Sequence, residues 1–135
     1  MKNSTDRRSA DRERGDPMSF SSDLIRGSTE TVILAILLDG DNYGYAINRR
    51  IFEVSGGRYE LKEATLYTAF RRLEDGGYIR SYWGDEQSGA RRRYYAVTAE
   101  GKSEYARRYA EWEEAKSLIG KLLSPPASGT PTYLI

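Results

Sequence analysis

The sequence predicts a mainly α-helical fold with one small β-hairpin and a long helix near its C-terminal end. Three observations predict it. Apolar residues recur with helical spacing in three short stretches, each followed by a glycine stop. Two short runs, Ile79 to Trp83 and Tyr95 to Val97, instead alternate with period two across a polar turn. After them, one stretch keeps helical spacing for about seven turns.

Residues 1–17, MKNSTDRRSADRERGDP, mix both charge signs and have no periodic apolar positions. They predict a disordered N-terminal extension, with Met18 as an alternative start. TETVILAILLDG predicts a helix ending at Asp39-Gly40, with Val32, Ile33, Ile36 and Leu37 on its buried face. Ser22 can cap an earlier start through Leu24 and Ile25. Asp41-Asn42 offer an N-cap for a second helix, Tyr43 to about Val54, with Ile47, Ile51 and Val54 in its stripe. Gly56-Gly57 stop it.

A third helix is expected from about Glu63 to Asp75, stopped by Gly76-Gly77, with the stripe Leu66, Ala69, Phe70 and Leu73. Its opposite surface holds Thr65, Tyr67, Thr68, Arg71 and Arg72, so hydrogen-bonding and cationic groups share adjoining rows. The two alternating runs form a hairpin through a turn at Asp85 to Ala90. Thr98 can then cap a helix reaching about Leu123, ~39 Å long if unbroken. Its stripe is Tyr105, Tyr109, Trp112, Ala115, Ile119 and Leu122. The final SPPASGTPTYLI predicts a flexible tail over 124–135.

Composition narrows the function. A chain of 135 residues fits one domain with tails, and is small enough for association to be needed to cover remaining apolar faces. Charged residues make up 30% but the net charge is only +1, so clustering and not total charge must carry any argument for nucleic acid. Cysteine and histidine are both absent. That excludes disulfides and thiolate sites, and removes the usual general base and the commonest metal ligand. No paired acids stand beside a glycine-rich phosphate cradle, so no enzyme, metal or cofactor is expected. The longest apolar run, Val32 to Leu38, is far short of the roughly 20 residues of a membrane span. Arg7, Arg8, Arg12 and Arg14 have no apolar stretch behind them, which is not a secretion signal. A cytoplasmic location is the expectation.

Three helices followed by a hairpin is the order of a winged helix-turn-helix. There the third helix enters the DNA major groove and the hairpin lies along the backbone as a wing. The expected winged domain spans 18–97. The helix at 98–123 is expected to dimerise, because its stripe has no partner within that domain and two-fold symmetry is the simplest way to bury it. Arg91, Arg92 and Arg93 fall where the wing would make a second backbone contact. Alternation sends Arg92 to the face opposite Arg91 and Arg93, which leaves Arg91 and Arg93 as the expected contacts. A solvated charge run is the plainer alternative.

The segments GDNYGYAINRRI, ELKEATLYTAFRRLEDGGYI, SYWGDE and RRRYYAVTAEG together resemble the PadR family of transcriptional regulators, over about Leu24 to Leu123. The likeness is to a short branch with one C-terminal helix, which includes a multidrug-resistance regulator. It implies a homodimeric repressor of an operator in double-stranded DNA. It also implies that Tyr43, Tyr67, Arg71 and Arg72 contact DNA together with the wing arginines. Lys62 stands where the family often has a serine or asparagine cap. The cap bond, worth ~1 kcal/mol, is lost, while a lysine there can meet phosphate.

In that branch the tryptophan matching Trp112 lines a cavity between subunits that stacks flat aromatic compounds. Leu24, Thr31 and Tyr109 match other lining positions. Lys116 stands where the branch has an acidic residue, which implies neutral or anionic aromatics over cationic ones. Read from the residues alone, Trp112 is an aromatic of a dimer core. A different class of function, a winged-helix adaptor that contacts protein without DNA or ligand, has the same elements. It differs in producing no salt-dependent shift of duplex DNA.

Overall fold

The computed structural model describes residues 25–85 and 91–125. A short 3-10 turn, Arg26–Ser28, leads into α1 (Thr29–Leu38). There follow β1 (Asn42–Tyr43), α2 (Gly44–Val54), α3 (Glu63–Asp75), β2 (Ile79–Trp83), β3 (Arg93–Val97) and α4 (Ala99–Leu123). The chain divides after Tyr105 into two units, the second containing the remainder of α4. Among the described residues no helix is long and apolar enough to cross a membrane. The extension at 1–17, the turn residues 86–90 and the tail from 126 lie outside the described residues, as does Leu24.

The core of the first unit is built from α1, α2, α3 and the sheet. Ile33, Leu34 and Leu37 of α1 meet Ile47 and Ile51 of α2, the full α3 stripe of Leu66, Ala69, Phe70 and Leu73, and Ile79 and Tyr95 of the sheet. Phe70 and Tyr95 stack with ring centroids 3.9 Å apart, which ties α3 to β3. The buried face of α1 is rotated from the expected one. Leu34 is buried, while Val32 and Ile36 only flank the core. A helix apolar at every position from 32 to 38 offers spacing no means of choosing a face.

The second helix also starts later than expected. Asn42 and Tyr43 form a short strand on β3, pairing Asn42 with Tyr95 and Tyr43 with Tyr94, so the sheet has three antiparallel strands in the order β1-β3-β2. Asn42 spends its side chain on the amide of Tyr43 at 3.0 Å and does not cap the helix. Two residues are too few to give an alternation signal. Val54, the last residue of α2, is exposed, and Tyr59 and Leu61 from the connection to α3 are buried in the core instead. Asn48 holds that connection. Its amide donates to the Leu61 carbonyl at 2.7 Å, and its carbonyl accepts the Leu61 amide at 2.8 Å. Both backbone groups of one buried residue are thereby satisfied.

The start of α4 follows the expected cap. The Thr98 hydroxyl accepts the Gly101 amide at 3.0 Å and donates to the Gly77 carbonyl at 2.7 Å, fixing the helix to the turn before β2. Gly101 faces the sheet so closely that a Cβ there would overlap the Tyr78 carbonyl oxygen and lie 2.7 Å from a methyl of Val97. In the second unit, α4 exposes Tyr109, Trp112, Ile119 and Leu122.

Candidate nucleic-acid interface

The outward surface of α3 is set by its buried stripe. With Leu66, Ala69, Phe70 and Leu73 turned inward, Thr65, Tyr67, Arg71 and Arg72 are exposed and Thr68 is half-buried. Lys62 takes the N-cap position with an extended backbone and no side-chain cap bond. The side chains of Lys62 and Arg71 are exposed and make no hydrogen bond or ion pair among the described residues, so both cations are available to a polyanion. Arg72 is partly engaged, its guanidinium 3.9 Å from the Glu30 carboxylate on α1.

Tyr67 is held by two neighbours. Its ring meets Phe70 edge-on at 5.3 Å, and its hydroxyl lies against Gly44, where a Cβ would approach it to 2.6 Å. Only glycine at the first position of α2 allows this contact without displacing the tyrosine. It brings Tyr67 beside Tyr43, the N-cap of α2. A hollow of about 470 Å³ opens there, bordered by Tyr43, Gly44, Tyr45, Tyr67, Trp83, Arg91, Arg92 and Arg93. Aromatic rings and cations thus line one depression between the start of α2, α3 and the hairpin.

The three arginines divide between faces as alternation suggested: Arg91 lies over Trp83, the register partner of Arg93, and Arg92 lies over Tyr43, the register partner of Tyr94. β3 begins at Arg93, but the Gly84 amide donates to the Arg92 carbonyl at 2.7 Å and carries the pairing one residue further. The Arg92 guanidinium sits 4.6 Å from the Tyr43 ring centroid, and that of Arg91 sits 5.3 Å from Trp83. Arg93 turns toward α3 instead. It donates to the Ser81 hydroxyl at 2.8 Å and lies 3.7 Å from the Glu74 carboxylate. Arg92, Gly44, Tyr45 and Trp83 are thus wall residues beyond the expected set. Of these, only Arg92 is marked in the sequence, by the arginine run.

On the outer side of the sheet, Tyr43, Tyr94 and Tyr82 lie in a row across the three strands, with centroids 5.4 and 5.7 Å apart. A hydrogen bond to the Asp41 carboxylate at 2.6 Å pushes the Tyr82 phenol up from its ordinary value. Burial does the same for Tyr95, against the pull of nearby Arg93. Both phenols stay neutral at physiological pH, so neither adds a negative charge beside an incoming phosphate.

The expected ligand positions fall in both units. Thr31 is half-buried on α1 in the first. In the second, Tyr109 and Trp112 have ring centroids 6.1 Å apart and tilted planes. The Lys116 ammonium lies 4.6 Å from the Trp112 centroid and 3.5 Å from Glu113. A hydrogen bond from Tyr109, aided by Lys116, holds the Glu113 carboxyl below its usual range.

The model of the transcriptional regulator PadR-like family matches residues 33–107, more than half of the chain. A curated protein of Lysinibacillus sphaericus, itself uncharacterised, is 41% identical over 98 residues, covering 73% of this chain and 90% of that one. Among solved structures, a transcriptional regulator from Clostridium thermocellum is 47% identical with a TM-score of 0.71, covering 76% of this chain and 97% of its own. A PadR family transcription regulator from Clostridium difficile is 37% identical with a TM-score of 0.64, covering 72% and 99%.

Proposed function

The chain belongs to the PadR-like family of transcriptional regulators, and from that premise we propose that it is a dimeric, sequence-specific repressor that binds double-stranded DNA. Members of the family are transcription regulators and not enzymes. The observation that carries the reading is the convergence of Tyr43, Tyr67, Arg91 and Arg92 on one hollow beside the exposed row of α3. In this reading α3 enters the major groove. Arg71 and Arg72 reach base edges or phosphate, Thr65 and Thr68 donate from the same side, and Lys62 meets phosphate at the head of the helix. Tyr43 and Tyr67 donate hydroxyls to a phosphate, while Arg91 and Arg92 supply the cationic part of the wing.

A second copy of α4 covers the stripe of Tyr109, Trp112, Ile119 and Leu122 in this proposal, as in the short branch of the family. A flat neutral or anionic aromatic effector stacks on Trp112 near Tyr109 and Lys116, and loosens DNA by changing the spacing of the two recognition helices. That spacing must suit half-sites ~34 Å apart, so a small rotation suffices.

The test begins with duplexes selected by the native protein from random DNA. Tyr67→Phe and Arg71→Ala are expected to weaken binding to the selected site with fold and oligomeric state unchanged. The arginine should cost ~1–3 kcal/mol and relax preference at one base pair. Unchanged affinity in both variants defeats the assignment of α3. Failure of the native protein to shift any duplex at low salt returns the molecule to the adaptor reading.

A further inference from the structure

Glu74, Ser81 and Arg93 lie on three different elements and touch one another. The Ser81 hydroxyl on β2 donates to Glu74 at the end of α3 at 2.7 Å, and it accepts from Arg93 on β3 at 2.8 Å. Arg93 closes the triangle at 3.7 Å from the other oxygen of Glu74. All three side chains are thereby turned toward the joint between α3 and the hairpin. We propose that this triangle is a latch that sets the angle of the wing against the recognition helix, and that Arg93 governs DNA affinity as a positioning residue and not as a phosphate contact. The inference rests on the reading of α3 and the hairpin as the DNA-binding elements.

The joint needs such a latch. Only Gly76, Gly77 and Tyr78 separate α3 from β2, and Gly77 takes a left-handed φ of 80°. Backbone bonds from Gly77 to Glu74 and from Tyr78 to Leu73 hold the base of the turn, but they act at the pivot. Ser81 lies at the middle of β2, well up the lever. With ~3.3 Å per residue, the five residues of β2 form an arm of about 16 Å, so a tilt of about 10° at the pivot moves the tip by about 3 Å. That displacement separates a direct hydrogen bond to phosphate from none. Arg91 and Arg92 stand at that tip, over Trp83 and Tyr43. Each pair within the triangle is partly exposed and weak by itself. The Phe70–Tyr95 stack ties the helix to β3, and the triangle adds a polar connection from the end of the helix to both strands.

The latch makes a prediction opposite in sign to simple electrostatics. Glu74 is a negative charge beside a surface meant for a polyanion, so removing it should tighten binding if charge alone matters. If it holds the wing, removing it loosens binding.

Glu74→Gln, Arg93→Gln and the double variant are compared by DNA titration across a salt series and by amide hydrogen exchange without DNA. Each single variant is expected to weaken binding to the selected site by about three- to fivefold, the effect of losing one modest ion pair. The double variant should be no weaker than the worse single. The slope of log K on log salt should stay at the native value in all three, and amides of Ser81, Tyr82 and Trp83 should exchange several-fold faster. Tighter or unchanged binding by Glu74→Gln overturns the latch, as does a slope reduced by ~0.9 in Arg93→Gln, the sign of a lost phosphate contact. Unchanged exchange in all variants overturns it as well, and that arm needs no DNA. Should the native chain bind no duplex, the reading of function falls and exchange alone decides the latch.

Discussion

The two units treat their apolar residues in opposite ways. In the first, α1, α2, α3 and the sheet close a core in which Phe70, Ile33, Leu34, Leu37, Ile47 and Leu73 are almost wholly buried. In the second, the stripe of α4 leaves Trp112 45% and Leu122 73% exposed on the single chain. In the first unit the glycine stops, the apolar stripes and the Thr98 cap all agree with the fold, while the N-caps of α1, α2 and α3 make no side-chain bond. The second unit is amphipathic by pattern but has nothing among its described residues to pack on, and a long helix of this kind draws most of its stability from packing. If α4 assembles the protein as proposed, folding and assembly are written in separate parts of this chain and should be separable by mutation.

The largest expected effect comes from placing charge on the stripe. Ile119→Glu with Leu122→Glu should abolish a dimer while leaving the winged unit folded. Each apolar side chain contributes about 1.5–3 kcal/mol on burial, and two-fold symmetry doubles every loss. The loss of about 6 kcal/mol or more takes a micromolar dimer to a monomer at any practical concentration. Sedimentation should report the monomer, and near-ultraviolet circular dichroism of the winged unit should keep its native form. A dimer that survives both charges would mean that assembly uses another surface, and the contrast between the units would fail.

The next effect should be confined to the first unit. Gly101→Ala sets a methyl against the Tyr78 carbonyl, which already accepts the amide of Thr98 at 3.0 Å. Neither the backbone oxygen nor the start of α4 can yield without breaking the cap. Overpacking of this kind costs about 3 kcal/mol, and the better helix preference of alanine returns about 1. A net loss of about 2 kcal/mol in urea unfolding is expected, appearing equally in the dimer and in the charged monomer. A loss seen only in the dimer would place Gly101 in assembly and blur the division.

Most of the fold was legible because its signals are local. The α3 stripe, the glycine stops and the Thr98 cap each depend on residues within one turn of one another. What escaped was set by partners distant in sequence. β1 exists because Tyr43 meets Tyr94 across the sheet, and a two-residue strand has no period to detect. The face of α1 was hidden by an unbroken apolar run. At the candidate site the exposed row of α3 was readable from the stripe opposite it. The turn of Arg93 toward Glu74 and Ser81 was not, since three adjacent arginines carry no mark of which has an acidic neighbour after folding. Gly44 is a similar case: nothing in the sequence marked a role for it, and only the position of Tyr67 explains it.

The smallest effect, and the one that sharpens the contrast furthest, concerns Trp112. A stripe that merely dimerises would use a tryptophan as packing. One that also binds an effector would leave its face open to a ring. Two indoles facing across a two-fold axis would hold the helices apart, and Ala115 beside each leaves room for a flat molecule between them. Stacking in such a slot adds ~0.5–1.5 kcal/mol beyond area burial, so Trp112→Ala should weaken a bound dye by about three- to tenfold. The ammonium of Lys116 already lies over the ring at 4.6 Å, so an anionic dye can gain charge complementarity that a cationic dye must forgo. Quenching of tryptophan emission reads the site directly, provided Trp83 is first replaced in a Trp83→Phe background. Planar anionic, neutral and cationic dyes should then quench in that order of affinity, and Lys116→Glu should reverse the order. If no dye quenches Trp112, or if Trp112→Ala leaves their affinities where they were, the indole is a packing residue and α4 assembles the protein without sensing a ligand.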